Sequence, residues 1–224
     1  FSGCEKLTSI TSLEGVTSIG NGAFEGCMSL TSITIPSSVT SIGEKAFSGC
    51  EKLTSITSLE GVTSIGNSAF EGCKSLTSIT IPEGVTSIGD RAFYNCYALA
   101  EVYNLSELNI IAGKDDYGNV GYYAKVVHIS TDASKRIEED KENGIAYYVE
   151  KEGSSIIKKI ALVLRDKTKT SVKIAEDCTE INQYAFADCT NLTSIEIPKG
   201  VTSIGKSAFS GCEKLTSISI PSSV

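Results

Sequence analysis

The hydrophobic positions of residues 30–50, LTSITIPSSVTSIGEKAFSGC, alternate first with period two. Ile33 and Ile35 fall on one face of an extended segment, and Ser32 and Thr34 fall on the other. β-Branched residues favour such a strand. Pro36 then ends it, because proline has no N–H to continue a ladder of hydrogen bonds. The pattern therefore predicts a short strand with one buried face and one hydroxyl-bearing face.

The second half of the same stretch has a different spacing. Val39 and Ile42 return to the core on either side of a Thr-Ser pair, which predicts a second extended segment. Ala46, Phe47 and Cys50 follow at i, i+1 and i+4, which is one face of a single helical turn. We therefore expect a strand, a turn, an extended segment and a short helix in each unit.

This unit recurs along the chain with a step of 23 residues. Residues 1–23 match residues 47–69 at every position except Gly22 and Ser68. The phenylalanines in this register are Phe1, Phe24, Phe47, Phe70, Phe93, Phe186 and Phe209. The cysteines in this register are Cys4, Cys27, Cys50, Cys73, Cys96, Cys189 and Cys212. Since no single copy can bury its apolar side, the repeat predicts a stacked solenoid.

The repeat LxxIxIPxxVxxIGxxAFxxCxxL resembles the BspA-like leucine-rich repeats, the Treponema pallidum type, of bacterial and protozoan surface proteins. It departs from the commoner leucine-rich pattern because Pro stands where Asn usually follows the strand. The resemblance implies a curved, right-handed solenoid of α/β type, with short parallel strands on the concave face and helical turns on the convex face. It also implies an extracellular or cell-surface location.

The periodicity divides the chain into three segments. We predict leucine-rich repeats over 1–111, an irregular α+β island over 112–171, and resumed repeats over 172–224. Near the first boundary, Ile111 takes the place of the core residue Ile65.

Three elements are predicted within and around the island. VGYYAKVVH is read as an enlarged helix in place of AFxxC, and KRIEEDKEN as a solvated helix or loop. IAYYVEKEGSSIIKKIALVL is read as two strands around a glycine turn, which is a hairpin.

The eight cysteines could be buried core thiols, disulfide partners or metal ligands. Seven of them share a single repeated position beside the Phe, which favours reduced, buried thiols, since cysteine is a small and readily buried residue. Cys178 takes the place of Val39 and is also expected in the core. A disulfide or a metal site stays open, although the paired CxxC spacing of zinc sites is absent.

Residues that carry catalysis are scarce. His128 is the only histidine, and its simplest reading is a helix-end or surface residue. No nucleophile and base can be assembled around it, and no glycine-rich nucleotide loop follows a strand. The sequence therefore predicts a protein that is not an enzyme and has no cofactor and no metal. Asp115, Asp116 and Asn119 offer only an incomplete calcium loop.

The charge and hydropathy of the chain limit the classes of partner that we expect. A net charge of -7 and the lack of a Lys/Arg-rich run argue against nucleic acid. No apolar run approaches the roughly 18 residues that a transmembrane helix needs. Both ends stop inside a repeat, so end-to-end self-association through uncapped repeats is a further expectation.

The outward face of the strands is the candidate binding surface. Its members in this register are Thr34, Thr57, Thr80, Glu196 and Ser219. Tyr122 and Tyr147 of the island are candidates for stacking against sugars. We expect a surface-displayed or secreted scaffold that adheres to a host or neighbouring-cell protein or glycan. The alternative is a structural spacer or ancillary module of a larger secreted enzyme.

Overall fold

A computed structural model describes residues 1–128, 137–152 and 155–224 of the chain. The chain forms two compact units, Phe1–Ala133 and Ser134–Val224. Each unit contains stacked rungs of short strands, and each is considered by itself below.

The described part of unit 1 is built from very short strands and one 3₁₀ helix, Tyr117–Asn119. In chain order the strands are β1 (Ser18–Ile19), β2 (Ser32–Thr34), β3 (Ser41–Ile42), β4 (Ser55–Thr57), β5 (Ser64–Ile65), β6 (Ser78–Ile81), β7 (Ser87–Ile88), β8 (Glu101–Asn104) and β9 (Val126–His128). All of their pairings are parallel. The sheets β2–β4 and β6–β8–β9 carry the first predicted strand of the repeat, and β1–β3–β5–β7 carries the second.

The core of unit 1 repeats from rung to rung. Phe24, Phe47 and Phe70 are buried, and the centroids of successive rings lie 5.2 Å apart. Cys27, Cys50, Cys73 and Cys96 are buried in the same way, as predicted. The prediction for Ile111 is wrong, because its side chain is 45% exposed and Ile110 is buried instead. The buried residue after β8 therefore comes one position earlier than the 23-residue step predicts.

The predicted helical turn around AFxxC is wrong. In the described residues these segments are successions of turns. Alternate N–H groups donate hydrogen bonds to backbone carbonyl oxygens of the next rung. Phe24 donates to the carbonyl oxygen of Ala46 at 2.7 Å, while Cys27 donates back to Phe24 at 3.2 Å. Lys45 has φ +54° and Gly49 has φ +72°, which a right-handed helix excludes. Over the residues that the structure describes, the solenoid is therefore a β-type structure with almost no helix.

The described part of unit 2 combines a hairpin with resumed rungs. Its strands are β10 (Ile137–Asp140), β11 (Ile145–Glu152), β12 (Ser155–Leu164), β13 (Ser171–Lys173), β14 (Glu180–Ile181), β15 (Ser194–Glu196) and β16 (Ser203–Ile204). One sheet has the order β10–β11–β12–β14–β16, and β13 pairs with β15. Strands β11 and β12 are antiparallel, which confirms the two strands of the predicted hairpin, and its glycine turn at Gly153 lies outside the described residues.

The hairpin is continuous with the repeat. Strand β12 is antiparallel to β11 on one side and parallel to β14 on the other, where Ala161 pairs with Ile181. Ile181 in turn pairs with Ile204 of β16. The last hairpin strand therefore serves as a rung, although the sequence places residues 145–164 outside the repeat.

Two further predictions for the island region need correction. Val126–His128 of VGYYAKVVH is strand β9, which pairs in parallel with β8, so an enlarged helix does not form. Ile137–Asp140 of KRIEEDKEN is strand β10, which pairs antiparallel with β11. Strand β9 pairs with residues 25 positions earlier, whereas Asp140 of β10 pairs with Ile145 across a local turn. The charge pattern of the two segments does not indicate either pairing. The first two residues of KRIEEDKEN lie outside the described residues.

Candidate binding surface

The outward side chains of β2, β4 and β6 form a band of hydroxyl groups, which we call the hydroxyl strip. Its members are Ser32, Thr34, Ser55, Thr57, Ser78 and Thr80. Parallel pairing places Ser32 beside Ser55 and Thr34 beside Thr57. Because strand residues alternate between faces, Ile33 points inward while its two neighbours are exposed. Thr34, Thr57 and Thr80 are all exposed, as predicted.

Threonines at two repeat positions differ in the hydrogen bonding of their hydroxyl groups. Thr54 donates its hydroxyl to the carbonyl oxygen of Thr31 at 3.0 Å, and Thr63 donates to Thr40 at 3.1 Å. These hydroxyls hold adjacent rungs together. Within the described part of the chain, the hydroxyls of Thr34, Thr57 and Thr80 make no such bond. The hydroxyl strip is therefore available to solvent or to a ligand.

The hydroxyl strip ends in a cluster that the sequence reading missed. Ser78 pairs with Glu101, and Thr80 pairs with Tyr103, which in turn pairs with His128. The Tyr103 and His128 rings stack with their centroids 4.8 Å apart. His128 is thus a strand residue with a largely buried side chain, 11% exposed, and the helix-end reading is wrong. Adding the 23-residue step to Ser78 and Thr80 would have identified Glu101 and Tyr103.

Glu101 is buried at the end of the hydroxyl strip. Its Oε1 lies 3.4 Å from Nε2 of His128, and its Oε2 lies 3.5 Å from the hydroxyl of Tyr103. A buried carboxylate requires such polar partners, because removal from water disfavours its charged form. Glu101, Tyr103 and His128 therefore form a packed polar cluster.

In unit 2, Glu196 and Ser219 are both exposed and line one depression of about 490 Å³. Lys173 lies beside them, with its Nζ 3.4 Å from Oε1 of Glu196 and 3.0 Å from Oε1 of Glu176. Hydrogen bonds to these two carboxylates, Glu176 first, raise the pKa of Lys173 above its ordinary value. This surface therefore carries charge, unlike the hydroxyl strip of unit 1.

The two island tyrosines have opposite environments. Tyr122 is 46% exposed, and its contact with a ligand stays a prediction. Tyr147 is 1% exposed, and its hydroxyl accepts a hydrogen bond from the Ala175 N–H at 3.0 Å. Burial raises the pKa of Tyr147. The predicted contact of Tyr147 with a ligand is therefore wrong, because alternation along β11 points this side chain into the core.

Six of the cysteines are buried, whereas Cys4 is exposed and Cys212 is half-buried. All eight thiols are free, and Cys178 is buried as predicted. Burial is the main cause that raises the pKa of Cys50 to about 12 and that of Cys189 to about 11. Among the described residues, no three His, Cys, Asp or Glu side chains are grouped to hold a metal ion. Neutral buried thiols are poor nucleophiles and poor ligands.

Within residues 1–128, 137–152 and 155–224, there is no helix with the length and apolar character needed to cross a bilayer.

Comparison with known proteins supports the repeat assignment. A family profile described as BspA type leucine rich repeat region matches residues 1–115 and 163–224 in six copies. A comparison with curated proteins gave no match. Among solved structures, the chain is similar to a leucine rich cell surface protein from Faecalibacterium prausnitzii A2-165, with 28% identity over 97% of this chain and 55% of that one, at a TM-score of 0.45.

Two other solved structures are similar over most of the chain. The leucine-rich repeat protein of T. pallidum has 25% identity over 93% of this chain and 77% of that one, at a TM-score of 0.43. A leucine-rich repeat protein from Bacteroides ovatus ATCC 8483 has 27% identity over 99% and 68%, at a TM-score of 0.44. The repeat profile matches more than half of the residues of this chain. The chain therefore belongs to the BspA-type leucine-rich repeat family.

Proposed function

We propose that this chain is a protein-interaction scaffold, displayed on the cell surface or secreted, that binds a protein partner through the hydroxyl strip. The observation that carries the proposal is the difference between the two threonine columns. Thr54 donates its hydroxyl to the preceding rung, whereas Thr34, Thr57 and Thr80 present exposed hydroxyls that make no hydrogen bond in the described part of the chain.

The strip suits many shallow contacts. Paired parallel strands lie about 4.8 Å apart, so the equivalent hydroxyls of β2 and β4 recur at that interval. Exposed Thr and Ser side chains form hydrogen bonds without the desolvation cost of buried charges. A set of weak, regularly spaced contacts gains strength through multivalency when a partner engages several rungs. Such a flat surface is suited to recognition of another macromolecule and poorly suited to turnover of a small substrate.

The test is surface plasmon resonance of the full chain against immobilised extracellular-matrix proteins, with collagen, laminin and fibronectin as the panel. Thr57→Arg places a long charged side chain in the middle of the hydroxyl strip. Ser37→Arg makes the same kind of change at an exposed residue outside it. We expect binding to at least one panel protein, weakened about tenfold or more by Thr57→Arg and little changed by Ser37→Arg.

Two outcomes would contradict the proposal. Equal binding by Thr57→Arg and the unmodified chain would show that the strip does not contact the partner. No binding to any panel protein would favour the alternative role of a structural spacer or ancillary module within a larger secreted protein.

A further inference from the structure

Four tyrosines near the end of unit 1 form a cluster, which we call the tyrosine patch: Tyr94, Tyr97, Tyr122 and Tyr123. Tyr94 and Tyr97 differ from the residues at the same positions of the earlier repeats. The earlier copies carry Glu25, Ser48 and Glu71 in the register of Tyr94, and Met28, Glu51 and Lys74 in the register of Tyr97. Aromatic rings thus replace mostly polar side chains in a single rung of an otherwise uniform stack.

The rings support one another in edge-to-face contacts. Tyr123 is nearly buried and lies between two neighbours: its ring centroid is 5.4 Å from Tyr97 at 84° and 4.8 Å from Tyr122 at 86°. Edge-to-face pairs add about 0.5–1.5 kcal/mol beyond their burial, so they fix ring orientation before any ligand arrives. The outer members stay accessible, with Tyr122 46% exposed and Tyr94 37% exposed.

Polar groups lie among these apolar rings. The hydroxyl of Tyr97 donates to Oδ1 of Asn95 at 2.8 Å. Burial raises the pKa of Tyr123, and the neighbouring phenols of Tyr97 and Tyr122 raise it further. The tyrosine patch therefore offers ring faces next to hydrogen-bonding hydroxyls.

The patch presents no unbalanced positive charge from its nearest arginine. The guanidinium carbon of Arg91 lies 4.4 Å from the ring centroid of Tyr94, and its Nη2 lies 2.7 Å from Oε1 of Glu71. The chain as a whole carries a net charge of -7. A phosphate, sulfate or uronate ligand would therefore meet a neutralised arginine in an acidic protein.

We propose that the tyrosine patch is a second binding site, which takes a neutral glycan. A pyranose ring has a face of C–H groups and a rim of hydroxyls, so it matches an aromatic face bordered by phenol groups. Tyr122 and Tyr94 would stack against sugar rings, and Tyr123 would hold Tyr122 in place. The inference is independent of the hydroxyl strip, which lies on β2, β4 and β6.

The small size of the patch favours a sugar over a protein partner. A fully buried aromatic side chain covers roughly 150–250 Å². Two partly exposed tyrosines fall well below the approximately 800 Å² per partner that a stable protein interface requires. One or two stacked sugar units fit this area.

The experiment is native affinity electrophoresis of the full chain in gels that contain hydroxyethylcellulose, glucomannan or galactomannan, with polygalacturonate as the anionic comparison. We expect at least one neutral polysaccharide to retard the chain. Tyr122→Ala and Tyr94→Ala should each weaken that retardation about tenfold, and Tyr122→Phe should weaken it less because it keeps the ring.

The control is Thr57→Arg, which disrupts the hydroxyl strip and should leave glycan retardation unchanged. Thermal melts of the tyrosine variants should show that the fold persists. The proposal would be overturned if no neutral polysaccharide retarded the chain, or if polygalacturonate alone did so. It would also be overturned if the Tyr94→Ala/Tyr122→Ala double variant were retarded as strongly as the unmodified chain. Because the strip and the patch are tested by separate variants, failure of one leaves the other intact.

Discussion

The Sγ of Cys50 donates a hydrogen bond to the carbonyl oxygen of Phe24, one rung earlier, at 3.2 Å. The same oxygen accepts the turn hydrogen bond from the Cys27 N–H. The relationship recurs in the next rung, where Cys73 donates to Phe47 at 3.4 Å. Cysteine is therefore more than a small core residue in this repeat, because its thiol links adjacent rungs through a buried carbonyl group.

The buried thiol predicts a loss of stability in alkaline solution. Burial raises the pKa of Cys50 from 9.0 to about 12. Above pH 9 the unfolded chain loses this proton while the folded chain keeps it, so the free energy of unfolding falls as pH rises from 9 towards 12. Urea denaturation of the unmodified chain and of Cys50→Ala should show the difference between them shrinking above pH 9, by up to about 1.4 kcal/mol per pH unit.

A labelling experiment checks the burial of the thiols at constant pH. Exposed Cys4 should react with a thiol reagent at pH 8, whereas Cys50 and Cys73 should react only after denaturation. Rapid labelling of Cys73 in the folded chain would contradict the arrangement.

The phenylalanine column predicts a large loss of stability on truncation. Phe47 is completely buried, with Phe24 and Phe70 stacked 5.2 Å away on either side. Phe47→Ala should lower the free energy of unfolding by about 3–5 kcal/mol, the usual cost of emptying a core aromatic site. Exposed Thr34→Ala should change it by less than about 0.5 kcal/mol. Comparable losses in urea titrations of the two variants would refute the assignment of inside and outside faces.

The two threonine columns predict different responses to the same substitution. Thr54→Val removes a hydroxyl that bonds to the preceding rung at 3.0 Å. The expected cost is about 0.5–1.5 kcal/mol, the net value of a typical intramolecular hydrogen bond. Thr57→Val, three residues further on, removes an exposed hydroxyl and should stay within about 0.5 kcal/mol of the unmodified chain. The comparison requires only the midpoints of urea unfolding, and equal midpoints would count against a structural role for the Thr54 hydroxyl.

Glycine at one repeat position is required by the close approach of the preceding rung. A Cβ on Gly43 would lie 2.5 Å from Oδ1 of Asn21 and 2.7 Å from its backbone nitrogen. Asn21 cannot retreat easily, because its Oδ1 accepts a hydrogen bond from the Glu44 N–H at 2.9 Å. Gly43→Ala should therefore destabilise the fold by about 1–3 kcal/mol, as other overpacked sites do.

Gly20 provides the matched control, because it occupies the same repeat position and a Cβ there would contact nothing within 4 Å. Gly20→Ala should be close to neutral in thermal melts. A similar loss of melting temperature for both variants would mean that glycine is needed for a reason other than the approach of the rungs.

The sequence by itself determined the rungs and their inward residues. Ile33, Phe47 and Cys50 could be assigned to the core, and Thr34 to the surface, because strand alternation and a fixed 23-residue step depend only on local geometry and order along the chain. The hairpin of residues 145–164 was also readable, since both of its strands are adjacent in sequence.

Only the tertiary structure decided where the remaining backbone hydrogen bonds go. The Phe24 N–H bonds to Ala46 in the next rung and not within a helical turn, and β12 becomes a rung by pairing with β14. The burial of Tyr147 depends in turn on packing against residues nearly 30 positions later, such as Ala175. These partners are distant in sequence, so local propensity and charge pattern contain no information about them, and stacking of the rungs selects the turns over the helix.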